Sequence, residues 1–322
     1  ANEAPPAIVS IFLGDELTAV VNSIINGTNY TDPEKSLIRI GVDVLPSIPK
    51  DTTDRNRTSP LAFTGNKFEF RMLGSSQSIA GPNIALNTIM AEILSRFANE
   101  LEKAEDFDSA LQKIVSKAFT EHQRIIFNGN GYSDEWKEEA MKRGLDCETN
   151  VPVIIDNYLT DQTVKMFSST GVLSPSELES RCEVKWENYS LKLQIESRVL
   201  GDLVINHVLP AAKRYQKTLL EKVAHVKQVF DSEEANTLNT QDCLLIRRIE
   251  SHASAIIAGV DKMTELRVTA NHITNQRERA IAFHDTVIPI MEDIRKHVDE
   301  LEMWIDDQLW TLPKYRELLF IR

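Results

Sequence analysis

Cysteine is scarce in this sequence, and long apolar runs are missing from it. Only three of the 322 residues are cysteines, Cys147, Cys182 and Cys243, and no two of them are spaced as a CxxC pair. This pattern argues against a disulfide framework and against a structural zinc site, so we expect a reducing compartment. The apolar runs are shorter than the roughly 18 residues that a membrane-spanning helix needs. The sequence therefore predicts a protein with no membrane partner.

Positive charge is also in deficit. The chain carries 36 lysines and arginines against 48 aspartates and glutamates, which gives a formal net charge of -12. A chain of this sign repels a phosphate backbone, so nucleic acid is not an expected partner. The length is sufficient for two domains with sizeable cores.

Glycine and proline are concentrated at one end of the chain. Residues 1–82 contain six of the twelve glycines and seven of the twelve prolines, whereas residues 211–322 contain one glycine and two prolines. Because both residue types interrupt helices, the first segment is predicted to be strand and loop and the last to be helix. The sequence thus predicts an α+β protein in three parts: residues 1–82, a helical part at 83–172 and a long-helix part at 173–322.

Alternating side chains predict a β-hairpin near the end of the first part. In residues 67–72 charged and apolar residues alternate, which predicts a strand with one charged face and one core face. Gly65-Asn66 is a hairpin turn signal that would fold residues 61–64 against this strand. The other elements predicted in this part are two strands and the helix between them, at residues 7–13, 37–44 and 15–25.

Long helices are predicted in the third part. Ser174-Pro175-Ser176-Glu177 forms a capping box, and the helix that it opens is predicted to run to about residue 230 with a kink near Pro210. The polar stretch at 231–242 is interpreted as a turn between helices. Apolar residues then repeat about every 3.5 positions at 245–266 and 287–305, which predicts long antiparallel helices.

The charged face of the hairpin is the first candidate for chemistry. It carries Lys67, Glu69 and Arg71, and two more guanidinium groups, Arg55 and Arg57, precede the hairpin by a short connection. A solvated outer face is the simpler interpretation of three charges on one strand. However, several cations around one carboxylate also suit phosphoryl transfer, in which a carboxylate holds a divalent ion and arginines bind anionic oxygens.

The same residues carry a resemblance to a known family. Asn56-Arg57-Thr58-Ser59-Pro60, the hairpin sequence Gly65–Arg71 and Gly74-Ser75-Ser76-Gln77-Ser78 resemble motifs of type III glutamine synthetases. Further similarity at 127–133, 177–181 and 209–212 extends the match through nearly all of the chain. The resemblance implies that residues 1–82 are the C-terminal part of an antiparallel β catalytic domain. Residues 83–172 would be its helical part, and 173–322 a class-specific helical extension.

The resemblance also implies roles for the residues at the catalytic centre. Glu3 would be the flap glutamate that takes a proton from ammonium, and Arg57 would stabilise the phosphoryl group during transfer. Glu69 would ligate the metal, and Arg71 would bind the carboxylate of glutamate. The nucleotide contacts would come from Lys67 and Arg55. The shorter bacterial class has a further arginine at the position of Ala62, so this sequence departs from that class there.

The implied reaction is the ATP-dependent formation of glutamine from glutamate and ammonium through γ-glutamyl phosphate, with Mg²⁺ or Mn²⁺. The resemblance further implies a homo-oligomer of stacked rings, a dodecamer, in the cytoplasm or, in a photosynthetic eukaryote, in a plastid. The family's other metal ligands are encoded upstream of the flap, so we expect this chain to be a C-terminal portion that is inactive alone. The alternative is a non-catalytic helical assembly or regulatory module derived from such an enzyme.

Two other features receive structural interpretations. Asn128-Gly129-Asn130-Gly131 is rich in glycine but lacks the lysine of a phosphate-binding loop, so it is predicted to be a turn. The seven histidines show no HExxH spacing and are predicted to have structural or surface roles.

Overall fold

The computed structural model describes residues 8–30, 37–38, 48–49, 59–63, 67–72 and 78–319. The chain divides into two compact units. The first unit comprises residues 1–149 and 162–174, and the second comprises residues 150–161 and 175–322. The overall class is α+β with a large helical region, as predicted. The three-part division at residues 82 and 172 stays a prediction.

The first unit contains a small sheet. Strand β1 (Ile11–Phe12) pairs in parallel with β4 (Leu61–Phe63), which pairs in antiparallel fashion with β5 (Phe68–Phe70). A separate antiparallel pair is formed by β2 (Leu37–Ile38) and β3 (Ile48–Pro49). The predicted strand at 7–13 is thus present as a two-residue strand, and most of the predicted strand at 37–44 lies outside the described residues.

Helices precede and follow the strands of this sheet along the chain. Helix α1 (Gly14–Asn26) confirms the helix predicted at 15–25, and it ends at Gly27, whose φ of 63° lies in the left-handed region that favours glycine. The remaining helices of the first unit are α2 (Ala80–Leu101), α3 (Phe107–His122), α4 (Asp134–Lys142) and α6 (Asp161–Ser169), of which the last begins at the unit boundary.

The named elements of the second unit are all helices in its described residues. It contains α5 (Val151–Ile154), α7 (Pro175–Leu203), α8 (Leu209–Val229), α9 (Ser232–Asn271), α10 (Gln276–Ala282), α11 (Ile288–Trp304) and α12 (Tyr315–Leu318). Helices α8 and α9 are antiparallel, because Lys222 pairs with Asp242 while Gln216, one and a half turns earlier, bonds to Glu250. Helices α9 and α11 are also antiparallel, because Arg248 lies against the Trp304 ring while Gly259, further along α9, packs on Ile294, which is earlier on α11. The antiparallel packing predicted for residues 245–266 and 287–305 is therefore confirmed.

The predicted disruption near Pro210 takes the form of a π-helical turn. Residues Val204–Val208 are π-helical and join α7 directly to α8. A second π-helical turn, Phe283–Val287, precedes Pro289 in the same way. Proline has no backbone N–H, so it cannot donate a hydrogen bond to a carbonyl oxygen of the preceding turn. A change in the hydrogen-bond register just before the proline allows that turn to form without this bond.

The turn predicted at 231–242 is wrong, because α9 begins at Ser232. The Asp231 carboxylate accepts hydrogen bonds from the backbone N–H groups of Glu233 and Glu234, at 3.0 and 2.9 Å, and so caps the helix. Asn239 is buried and its amide donates to the Val223 carbonyl oxygen at 3.3 Å. Two of the polar residues that suggested a turn thus have other roles: Asp231 caps the start of a helix, and Asn239 forms a buried hydrogen bond.

The core of the second unit lies between α8, α9 and α11. Its fully buried members include Ile249, Ile256 and Met263 on α9 and Ile294 and Leu301 on α11. Among the described residues, no helix combines the length and the apolar character that crossing a membrane requires.

Candidate active site

The hairpin predicted around Gly65-Asn66 is confirmed by the pairing of its two strands. Phe63 lies opposite Phe68, and Ala62 lies opposite Glu69. The pairing continues past the strand end, because the backbone N–H of Arg71 donates to the Pro60 carbonyl oxygen at 2.9 Å. The turn residues 64–66 lie outside the described residues. The antiparallel register places successive β5 side chains on alternate faces.

Three charged side chains meet on one face of β5. The Arg71 guanidinium donates to Glu69 Oε2 from Nη2 at 2.9 Å and from Nε at 3.3 Å. The Lys67 ammonium lies 3.3 Å from the other carboxylate oxygen, Oε1. The hydrogen bond from Arg71, followed by that from Lys67, holds the pKa of the Glu69 carboxyl below its usual value. This site therefore presents an ionised carboxylate between two cations.

The burial of the two faces differs from the prediction. The supposed core residue Phe68 is 52% exposed, whereas the Arg71 side chain is only 14% exposed. Phe68 packs against Phe63 with ring centroids 5.0 Å apart, and both rings line an apolar cleft of about 820 Å³ that is also lined by α1, α2 and α3. Phe68 is exposed because it borders this open cleft. The predicted core face is thus wrong at Phe68, and the charged face is partly covered.

Ala62, where this sequence departs from the shorter bacterial class, lies in the hairpin. Its side chain is fully buried and lies across the hairpin from Glu69. An arginine at this buried position would add a third cation beside the same carboxylate, where Lys67 and Arg71 already lie. The positive charge beside Glu69 therefore comes from Lys67 and Arg71, which flank it along the chain.

The hairpin is held to the rest of the first unit through β1. Ser59 is buried, and its hydroxyl donates to the carbonyl oxygen of Ser10 at 3.1 Å and to that of Leu61 at 3.0 Å. Ile11 is in turn bridged to Ile126, and the N–H of Phe127 donates to the Ile11 carbonyl oxygen at 3.0 Å. Residues 126–127 thus extend the sheet on the side away from the hairpin.

Asn128 has a role that the sequence did not reveal. Its side-chain oxygen accepts hydrogen bonds from the N–H groups of Leu13 and Gly14, at 3.1 and 3.0 Å, and so caps α1 from a distant part of the chain. Its amide nitrogen donates to the Thr18 hydroxyl at 2.8 Å. The predicted turn therefore also fixes the junction between β1 and α1. The only available signal was an asparagine in a glycine-rich loop, which does not identify a partner over 100 residues away.

Replacing Asn128 with alanine is expected to destabilise the first unit by about 1–2 kcal/mol, the usual cost of removing a helix cap. Asn130→Ala is the matched control, because the Asn130 side chain accepts a hydrogen bond from the N–H of Tyr132, only two residues away, at 3.0 Å. Urea unfolding followed by circular dichroism would measure both. Equal losses for the two variants would show that Asn128 is merely a turn residue.

The structure brings together three of the six predicted site residues, Lys67, Glu69 and Arg71. The other three, Glu3, Arg55 and Arg57, lie outside the described residues. Among the residues that the structure does describe, no group of three or more histidine, cysteine, aspartate or glutamate side chains could hold a metal ion. A metal-binding role for Glu69 therefore stays a prediction.

Comparisons with known proteins agree with the motif analysis. The family model of the glutamine synthetase C-terminal domain matches residues 110–227. A glutamine synthetase of Bacteroides fragilis is 45% identical over 329 residues, which cover 100% of this chain and 45% of the relative. A type-3 glutamine synthetase of Dictyostelium discoideum is 40% identical, with 100% and 44% covered.

A third relative, a glutamine synthetase of Butyrivibrio fibrisolvens, is 32% identical over 99% of this chain and 45% of its own length. The chain thus spans somewhat less than half the length of each of these three relatives.

Proposed function

This chain belongs to the glutamine synthetase family, and we propose that it is the C-terminal part of an enzyme that forms glutamine from glutamate and ammonium with ATP. The observation that carries the proposal is the Glu69 carboxylate placed between Arg71 and Lys67. A surface ion pair would need only one partner of each sign. The two cations and one carboxylate together carry one net positive charge, which suits an anionic substrate.

The side chains present fit a nucleotide with its divalent cation. Mg²⁺ and Mn²⁺ prefer oxygen ligands, and the lowered pKa of Glu69 keeps its carboxylate ionised. Lys67, together with Arg55, would contact the nucleotide phosphates. When bound, the cation would neutralise charge on the phosphates and polarise the terminal phosphoryl group. Glu69 would provide one of its ligands.

The substrate glutamate would be held by Arg71. Two of its guanidinium nitrogens, Nε and Nη2, already bind one carboxylate oxygen in this structure, that of Glu69. The planar guanidinium has further N–H groups, and such groups bind carboxylates in fixed geometry. Its side chain is mostly buried, which limits the competition from water. These features support a substrate-orienting role.

The proposed reaction has two steps. A γ-carboxylate oxygen of glutamate takes the terminal phosphoryl group of ATP, and ADP leaves. Ammonia, formed when Glu3 accepts a proton from ammonium, then attacks the activated carbonyl, and inorganic phosphate leaves with the former carboxylate oxygen. Arg57 would stabilise the charge on the phosphoryl group during transfer. We further propose that the enzyme is a homo-oligomer of stacked rings, a dodecamer, located in the cytoplasm or in a plastid.

The proposed function is tested by an assay of the whole encoded polypeptide beside residues 1–322 alone. With glutamate, ammonium and Mg²⁺-ATP, the whole polypeptide is expected to form glutamine and ADP in equal amounts, measured by mass spectrometry. Residues 1–322 alone are expected to form neither. If the whole polypeptide makes no glutamine, the ligase proposal is wrong and the non-catalytic helical module becomes the better explanation.

A further inference from the structure

Two histidines from different helices share a hydrogen bond in the second unit. His252 on α9 and His297 on α11 have their Nδ1 atoms 2.9 Å apart, and their ring centroids are 5.1 Å apart. Both rings are partly buried. A hydrogen bond between two ring nitrogens needs a proton on one of them and a lone pair on the other. The contact can therefore exist with one charged ring or with none, but not with two.

The helices that carry this pair are in close contact on either side of it. In one direction, Gly259 on α9 packs so tightly that an added Cβ would lie 2.8 Å from Ile294 Cγ1 on α11. In the other direction, the Arg248 guanidinium lies 4.3 Å from the centroid of the Trp304 ring. The two rings consequently cannot separate freely when they repel, unless the packing of α9 on α11 also changes.

The charged groups around His252 are few. Burial is the main influence that lowers its pKa, and the neighbouring His297 adds to it. Arg248 on its own helix acts in the same direction, whereas Glu300 on α11 opposes it. Helices α7, α8 and α10 and the π-helical turn 283–287 also pack on α9, and none of their residues, all of which are described, influences the pKa of His252.

We propose that His252 and His297 form an acid-sensitive contact that ties α9 to α11 at neutral pH and is broken when both imidazoles are protonated. Double protonation removes the lone pair that accepts the hydrogen bond. It also places two like charges side by side in a partly buried interface. The contact would make the packing of the helical unit responsive to pH, independently of the proposed ligase activity.

The direction of the pH effect follows from the lowered pKa of His252. The unfolded chain has the ordinary histidine pKa of about 6.5 and binds this proton more readily than the folded chain does. The stability that the contact provides is therefore fully present above about pH 6.5. It is lost progressively as the pH falls below that value and through the lower folded pKa.

Hydrogen exchange of the whole encoded polypeptide, followed by mass spectrometry between pH 7.5 and 5.5, tests this contact directly. Peptides that cover residues 245–256 and 294–301 are expected to open more as the pH falls, with an opening constant that rises by up to about tenfold per pH unit after correction for intrinsic exchange. His297→Gln removes one charge of the pair and is expected to weaken this rise, leaving the part that the burial of His252 causes.

His252→Gln removes the charge from the other helix and serves as the second variant if His297→Gln does not fold. His225→Gln, at an exposed position on α8, is the matched control and should retain the wild-type pH response. A pH response of these peptides that is the same in wild type and in His297→Gln would overturn the proposal. A weaker response in His297→Gln, with the control unchanged, would support it.

Discussion

Replacing Glu69 with glutamine is expected to lower ATP-dependent glutamine formation by the whole polypeptide roughly 100- to 1,000-fold, the range typical of a lost charge-stabilising group in an active site. Glutamine keeps the size of the side chain but removes its negative charge. It would bind a divalent cation weakly and would leave Lys67 and Arg71 without the carboxylate that they now share. Steady-state measurement of kcat at saturating Mg²⁺-ATP would detect the loss.

Two further variants make this result specific. Glu221→Gln also neutralises a glutamate paired with a lysine, at 3.7 Å, but on the exposed face of α8, and it should leave kcat unchanged. Arg71→Lys retains the charge but loses the planar guanidinium, so it should raise the KM for glutamate more than that for ATP. Near wild-type kcat in Glu69→Gln would refute the assignment of this carboxylate.

Replacing Trp136 with alanine is expected to destabilise the first unit by about 3–5 kcal/mol, as for other buried large-to-small changes. Trp136 is 1% exposed and stacks on Phe127 with ring centroids 3.9 Å apart. Arg143 lies over both rings and donates to the Ile126 carbonyl oxygen at 2.8 Å. Loss of the indole would therefore loosen residues 126–128, which flank β1 and cap α1. Chemical unfolding would measure the change in the free energy of unfolding of the first unit.

Trp136→Phe is the matched control for this prediction. It keeps an aromatic ring against Phe127, and it removes an indole N–H that is buried without a hydrogen-bond partner in the described part of the chain. Removing an unsatisfied donor offsets part of the lost contact area, so a much smaller loss of stability is expected than for alanine. If phenylalanine and alanine were equally destabilising, the ring stack would not be the source of the stability.

Much of the fold was predictable because its signals are local. The capping box at Ser174 predicted the start of α7, and the spacing of residues 61–72 predicted the antiparallel hairpin. The start of α9 was missed because its first two turns are polar on the surface, and a buried Asn239 adds to that impression. Its cap, Asp231, was present in the sequence but was read as part of a turn.

The candidate site was predictable only in part. Alternation along β5 correctly grouped Lys67, Glu69 and Arg71, because side chains two positions apart share a face. Alternation could not show that Phe68 borders an open cleft, since exposure depends on α1, α2 and α3, which are distant in sequence. The cap supplied by Asn128 was equally hidden. Its partners are more than 100 residues away, and no local pattern encodes such a contact.

The most direct test of the central claim follows an oxygen atom through the reaction. Glutamate labelled with ¹⁸O in its γ-carboxylate would be incubated with the whole encoded polypeptide, ammonium and Mg²⁺-ATP, and the inorganic phosphate would be analysed by mass spectrometry. One ¹⁸O is expected in each phosphate, because the carboxylate oxygen leaves with the phosphoryl group that activated it. Unlabelled phosphate, or no glutamine, would contradict it.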